Sequence, residues 1–155
     1  MSRIIQFKRF GAAALANTIG ANGEIIFDLT SKALTVHDGV TAGGFSATIV
    51  PQNAQTTNYI LQLSDSGKHI YYTQSSNVIL YVPTTSNVAF SNGTTIMIVS
   101  RTSSSANVTV SPNTGVSMFL AGNTTSASRN VTTHGVVTLI NVAANTWFIS
   151  GSGVV

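Results

Sequence analysis

The chain has 155 residues, of which only 7% are charged, and a net charge of +3. A typical soluble domain is roughly 25% charged; here Ser, Thr and Asn, 53 residues in all, take that place, and Val, Ile, Thr, Phe and Tyr recur throughout. That mixture excludes a disordered chain, which would be charged and poor in β-branched residues, and the lack of cysteine excludes disulfides and zinc–thiolate sites.

Residues 1–22 open the chain as a basic arm. Arg3, Lys8 and Arg9 supply +3 within nine residues, while the remaining charges nearly balance. So few cations make no basic face for nucleic acid. The apolar stretch "AAALA" is too short for a signal peptide, and no run reaches the 18 apolar residues of a membrane span. The reading is a soluble chain: an extended arm, then a turn or two of helix around Ala12–Ala16 before "NTIGANG" ends it. Ile4, Ile5, Phe7 and Phe10 are interleaved with the cations, the pattern of a segment that docks on an acidic surface.

Residues 23–50 follow as a hairpin module. In "EIIFDLT", Ile25, Phe27 and Leu29 share one face, and Glu24, Ile26 and Asp28 the other. "TSKA" is a polar turn. "LTVHDG" returns with Leu34 and Val36 opposite Thr35 and His37, and Asp38-Gly39 turns the chain at its end. The polar face, with Glu24, Asp28, Lys32, His37, Asp38 and Gly39, is expected to meet another chain.

From residue 51 the rhythm changes to short strands with turn signals between them. Strands are expected in "YILQL", "KHIYYT", "NVILYV", "NVAF", "TTIMIVS", "NVTVS", "VSMFLAG", "NVTTHGVVTLINV" and "TWFIS". Asn92-Gly93 reads as a hairpin turn, and "INVAANTWFIS" as a second hairpin anchored by Trp147 and Phe148. Such spacing predicts a β-sandwich or jelly-roll-like domain over 51–155. With little charge to keep copies apart, an obligate oligomer or a component of a particle is expected.

Little in the chain looks catalytic. Glu24, Asp28 and Asp38 are the right residue types for an acid–base pair, but nothing around them suggests a cleft. "HDGVTAGG" is far from a calcium loop, and His37, His69 and His134 are too scattered to imply a metal site within one chain. No nucleophile elbow, phosphate loop or dinucleotide fingerprint is present. The reading is therefore a non-enzymatic protein with no cofactor.

The pattern "GE…D…K.L.VHDG.T.GG", carried by Gly23, Glu24, Asp28, Lys32, Leu34, His37, Asp38, Gly39, Thr41, Gly43 and Gly44, resembles the hairpin module near the N-termini of phage tail-fibre, hyaluronidase and tropism-determinant proteins. The segments "LSDSGKHIYYT" and "GVVTLINVAANTWFISGSGVV" resemble the β-domains of tail fibres and head decoration proteins. The resemblance implies an intertwined homotrimer built into a phage particle. Tail fibres carry a long shaft of coiled coil or β-helix, and none is read here; the chain, from "MSR" to "GSGVV", reads as whole.

The leading expectation is a capsid decoration (cement) protein on the virion exterior, docked on the major capsid protein through Arg3, Ile4, Ile5, Phe7, Lys8, Arg9 and Phe10. The rival is a short tail fibre or receptor-binding protein attached to a tail protein. In that reading Tyr71, Tyr72 and Tyr81 are exposed rings that contact a host glycan or protein. Neither reading involves nucleic acid or a membrane.

Overall fold

The structure, a computed structural model, describes residues 7–101 and 106–155. It falls into two compact units, Met1–Ile49 and Val50–Val155. No helix is long and apolar enough to cross a membrane among the described residues.

The N-terminal unit is a four-stranded sheet in the order β1-β2-β3-β4. β1 is Lys8–Phe10, and a single helical turn, α1 (Ala12–Leu15), carries the chain across to β2 (Ile25–Asp28). Three alanines and a leucine favour the helix, and the Thr30 hydroxyl accepts the Ala12 N–H at its start. β1 and β2 run parallel; β3 (Ala33–Val36) and β4 (Phe45–Ser46) add antiparallel. The expected hairpin is thus β2–β3, with Ile25 opposite Val36 and Asp28 opposite Ala33.

Its two faces do not fall as expected. Asp28, Thr35 and His37 turn inward beside Ile26, Ala33 and Leu15, whereas Ile25, Leu29, Leu34, Val36 and Phe45 are exposed. Of the polar residues expected to meet another chain, Asp28 and His37 are therefore buried while Lys32, Asp38 and Gly39 stay exposed in turns, and the apolar face is open to another chain. Two of the inward polar residues bond close by. The Thr35 hydroxyl donates to Ile26 O at 3.0 Å, and Asp28 accepts from the Thr30 N–H (2.8 Å) and the Ser31 hydroxyl (2.7 Å).

The C-terminal unit is a β-sandwich, as its strand spacing predicts. Its strands are β5 (Gln52–Gln55), β6 (Tyr59–Ile60), β7 (His69–Tyr72), β8 (Val78–Val82), β9 (Thr95–Ser100), β10 (Val108–Pro112), β11 (Ser117–Leu120), β12 (Arg129–Ala143) and β13 (Thr146–Val154). Seven of the nine predicted runs coincide with β7–β13 and an eighth contains β6, but two features differ from the expectation. β5 lies in a stretch that reads as linker, and "NVAF" is a turn: the N–H groups of Asn87 and Val88 both return to Thr84 O. Asn92-Gly93 turns the chain, Gly93 at φ 87°, without joining two paired strands.

Strand pairing reveals the architecture. β5, β7 and β9 pair in parallel, and so do β6, β8 and β10. The chain therefore winds as a short coil, laying one strand in each sheet per turn, so that β-helix-type pairing is present here on a small scale. Asparagines stand at the same corner of successive turns. Asn58 Oδ1 accepts the Ile79 N–H at 2.8 Å, and Asn77 Oδ1 accepts the Asn107 N–H at 2.9 Å, each bond linking one turn to the next.

β12 closes the coil. Its first residues pair with β10 (Val108 opposite Val131) and its later ones with β9 (Val136 opposite Val99), so one strand serves both sheets. The corner lies at His134, φ 61°, and Gly135, where a Cβ would come within 2.7 Å of Val131 Cγ1. Strands that switch sheets at a bend are a recognised way of joining two layers. Between the layers lie Leu61, Ile70, Tyr72, Leu80, Ile96, Ile98, Val108, Met118, Leu139, Trp147 and Ile149. Phe90, delivered by the "NVAF" turn, meets the Trp147 ring edge-on at 5.3 Å.

Candidate functional site

Of the docking residues read from the sequence, Arg3, Ile4 and Ile5 lie outside the described residues. Phe7 is exposed and Phe10 half-buried. Lys8 is not a free cation: its Nζ pairs with Glu24 Oε1. Glu24 Oε2 in turn accepts the Ala21 N–H at 2.9 Å. The Lys8 ammonium, and after it that N–H, hold the Glu24 carboxyl below its ordinary value. Both residues tie β1 and the loop before β2 together.

The other carboxylates of the hairpin module are turn-formers. Asp38 Oδ1 accepts the N–H groups of Val40 (2.9 Å) and Thr41 (2.7 Å), and Oδ2 accepts the Thr41 hydroxyl. The Thr41 N–H, then the Val40 N–H, bring the Asp38 carboxyl down to about 2. The Ser31 hydroxyl and Thr30 N–H lower Asp28 in the same way. Lys32, exposed at φ 58°, and Gly39, at φ 82°, supply the left-handed corners of the two turns.

His37 organises the inner side of this module. Its side chain is 1% exposed, and Nδ1 accepts the Gly20 N–H at 3.1 Å. That bond assigns the proton of a neutral ring to Nε2, which is buried without a hydrogen-bond partner among the described residues. Glycines hold both sides of the ring: a Cβ on Gly20 would lie 2.6 Å from Cγ, and one on Gly44 would lie 2.9 Å from Cε1 and Nε2. The spacing of Gly20, His37, Asp38, Gly39, Thr41 and Gly44 therefore builds one packed corner.

What the module offers to a partner is its outer face. Val36 stands between Ile25 on β2 and Phe45 on β4, and Leu34 beside Phe27. Leu34 is 38%, Val36 41% and Phe45 56% exposed. The alternation of "EIIFDLT" and "ALTV" marks this face in the sequence, although not which side the core would take.

In the C-terminal unit the three tyrosines read as receptor contacts separate. Tyr72 is fully buried in the core, its phenol pushed well up by burial, so it cannot touch a receptor. Tyr71 on β7 and Tyr81 on β8 are half-buried on the outer faces of the two sheets. Tyr71 shares a face with His69, one residue pair away on β7; Tyr81 stands in register with Ile60 and Ser111. Asp65 is saturated. Its oxygens accept from Asn53 Nδ2 (2.8 Å), the Tyr59 hydroxyl (2.9 Å) and the Gln62 N–H (2.8 Å), and it is fully buried. Among the described residues no three acidic or histidine side chains gather as metal ligands, and no cavity opens.

Comparison with known families places one part of the chain. Residues 5–41 match a family model described as the major tropism determinant N-terminal domain. The match covers α1 and the β2–β3 hairpin and ends before β4. It supports the resemblance to tropism-determinant proteins over those residues, consistent with a phage structural protein related to tail and host tropism and with a place in the virion. It lends no support to the likeness to head decoration proteins. No curated protein matches the chain.

Proposed function

We propose that the chain is a non-enzymatic structural protein of a phage tail. In this reading it is a homotrimer held by its N-terminal unit, with the C-terminal β-sandwich presented to the host surface. The family match carries the proposal, because it falls within one compact unit of the chain. The exposed apolar sheet face of that unit supports association of identical copies, since such faces on otherwise soluble proteins mark interaction sites.

In this reading the segment before β1, with Arg3, Ile4, Ile5 and Phe7, docks on a tail protein, and Tyr71 and Tyr81 belong to surfaces available to a host glycan or protein. A capsid decoration protein remains the rival. The two differ in copy number. Quantitative mass spectrometry of purified particles should find a few copies per particle; parity with the major shell protein would instead make it cement. Deleting residues 1–7, which spares β1, should abolish incorporation while leaving the mass by light scattering at three chains. Val36→Lys, at the centre of the outer face, should leave single chains.

A further inference from the structure

The C-terminal unit carries a second apolar sheet face that no described residue covers. On the outside of β9, β12, β13 and β11, side chains align in rows. Ile140 stands opposite Phe148, and Phe148 beside Phe119, their rings 5.6 Å apart. Next come Met97, Thr138 and Ser150, then Val99, Val136 and Ser152. Val136, Ile140, Val142 and Phe148 are exposed. No Asp, Glu, Lys or Arg occurs in β9, β11, β13 or residues 130–143.

The outside of the other sheet is of a different kind. There the Thr109 hydroxyl donates to Asn130 Oδ1 at 2.8 Å, and the hydroxyls of Ser111 and Ser128 bond to each other. The β10–β12 part of that face completes its hydrogen bonds with its own residues, while Ile60 and Tyr81 stand side by side on β6 and β8. Among the described residues, the β9–β12–β13–β11 face carries the larger group of exposed apolar side chains, four against Ile60 alone on the other sheet.

Its size narrows the choice of occupant. Four strands about 4.8 Å apart and five residues of about 3.3 Å each give a footprint of roughly 300 Å². A stable interface needs about 800 Å² per partner. The four strands also place no charged residue on the face that would select a foreign protein. A patch this small is held closed only by a partner already tethered nearby, for which the effective concentration is high.

We infer that this face is a contact between copies of the chain, closing among C-terminal units that the N-terminal units have already gathered. The inference rests on the N-terminal association proposed above.

Because the chain has no cysteine, a single introduced thiol reports on the face. Ser150→Cys places one at its centre, and Ser128→Cys places one on the polar face; both positions are exposed in a single chain. The full-length protein is treated with an aromatic disulfide reagent, and its mass is read by light scattering. In the assembled protein the thiol at 150 should react more slowly than that at 128 by about tenfold or more, as a closed contact requires. In the Val36→Lys chain the two should react alike. Equal rates in the assembled protein overturn the inference. So does a slow thiol at 150 in single chains, which would mean that the face is covered within one chain. If Val36→Lys stays assembled with the thiol at 150 still slow, the C-terminal contact stands and the N-terminal reading fails.

Discussion

Gly20→Ala is the sharpest perturbation of the N-terminal unit. Gly20 is buried, and an added Cβ would stand 2.6 Å from His37 Cγ and 2.9 Å from both His37 Cβ and Glu24 Oε2. The Glu24 side chain can swing away. The imidazole cannot, because Gly44 lies against its far side. Forcing a methyl into such a site costs about 1–3 kcal/mol. Pushing the ring off the Gly20 N–H removes a hydrogen bond worth about 1 kcal/mol more. A loss of about 2–4 kcal/mol corresponds to a roughly 30- to 1000-fold fall in protection from exchange.

Optical probes would miss this change. Trp147 and all four tyrosines belong to the C-terminal unit. Hydrogen–deuterium exchange followed by mass spectrometry reads both units at once. Peptides covering residues 24–37 should lose protection while those covering β8 and β9 hold theirs. If residues 24–37 stayed within about twofold of the wild type, the range of a neutral surface substitution, the ring would not be wedged as described.

Asp38 should make the same unit sensitive to acid. Its folded carboxyl lies at about 2 against an ordinary 3.8, so its contribution is complete above the ordinary value and is lost as pH falls from about 4 towards 2. Asp38→Asn should weaken the unit near neutrality and flatten its acid profile, measured as exchange protection against pH; an unchanged profile would refute the assignment. Tyr72→Phe removes a buried hydroxyl with no hydrogen-bond partner among the described residues. It should be neutral or stabilising by up to about 1 kcal/mol in urea unfolding followed by Trp147 fluorescence, with host attachment unchanged. A clear loss of stability would show that the hydroxyl is bonded. Asn77→Ala deprives the Asn107 N–H of its acceptor and should cost about 1 kcal/mol in the same assay. Asn58→Ala should add to it nearly in full, since each residue bridges a different pair of turns.

Much of this architecture is legible in the chain. Period-two alternation finds β2, β3 and the strands from β7 to β13, because alternation follows from the pleat whatever the strand's neighbours are. Alternation cannot say which face turns inward when the core is small. Here, among the described residues, only Leu15, Ile26 and Ala33 form the apolar interior of the N-terminal unit, and the polar Asp28, Thr35 and His37 enter it because each finds a partner close by. Parallel pairing was equally out of reach, since residues such as Gln52 and His69, or Val78 and Val108, meet across long separations that no local pattern encodes. The recurrent "NV" at strand openings was the one visible trace of the coil: Asn77 and Asn107 stand at equivalent corners. The receptor tyrosines were misjudged at Tyr72, since in "HIYY" strict alternation sends one of the two rings inward.

A single strand that serves both sheets sets the order in which this unit can be made. During synthesis at about 5–20 residues per second, the 106 residues from Val50 to Val155 take roughly 5–20 s. Until β12 emerges, the edges of β9 and β10 have no common neighbour, and the core still lacks Val131, Val137, Leu139, Trp147 and Ile149. The nascent unit therefore waits, with two open edges, for residues translated near its end. A stop codon within β12 or β13 would yield a half-closed sandwich prone to pair with its neighbours, and its fate would be aggregation or proteolysis rather than a slightly shorter folded protein.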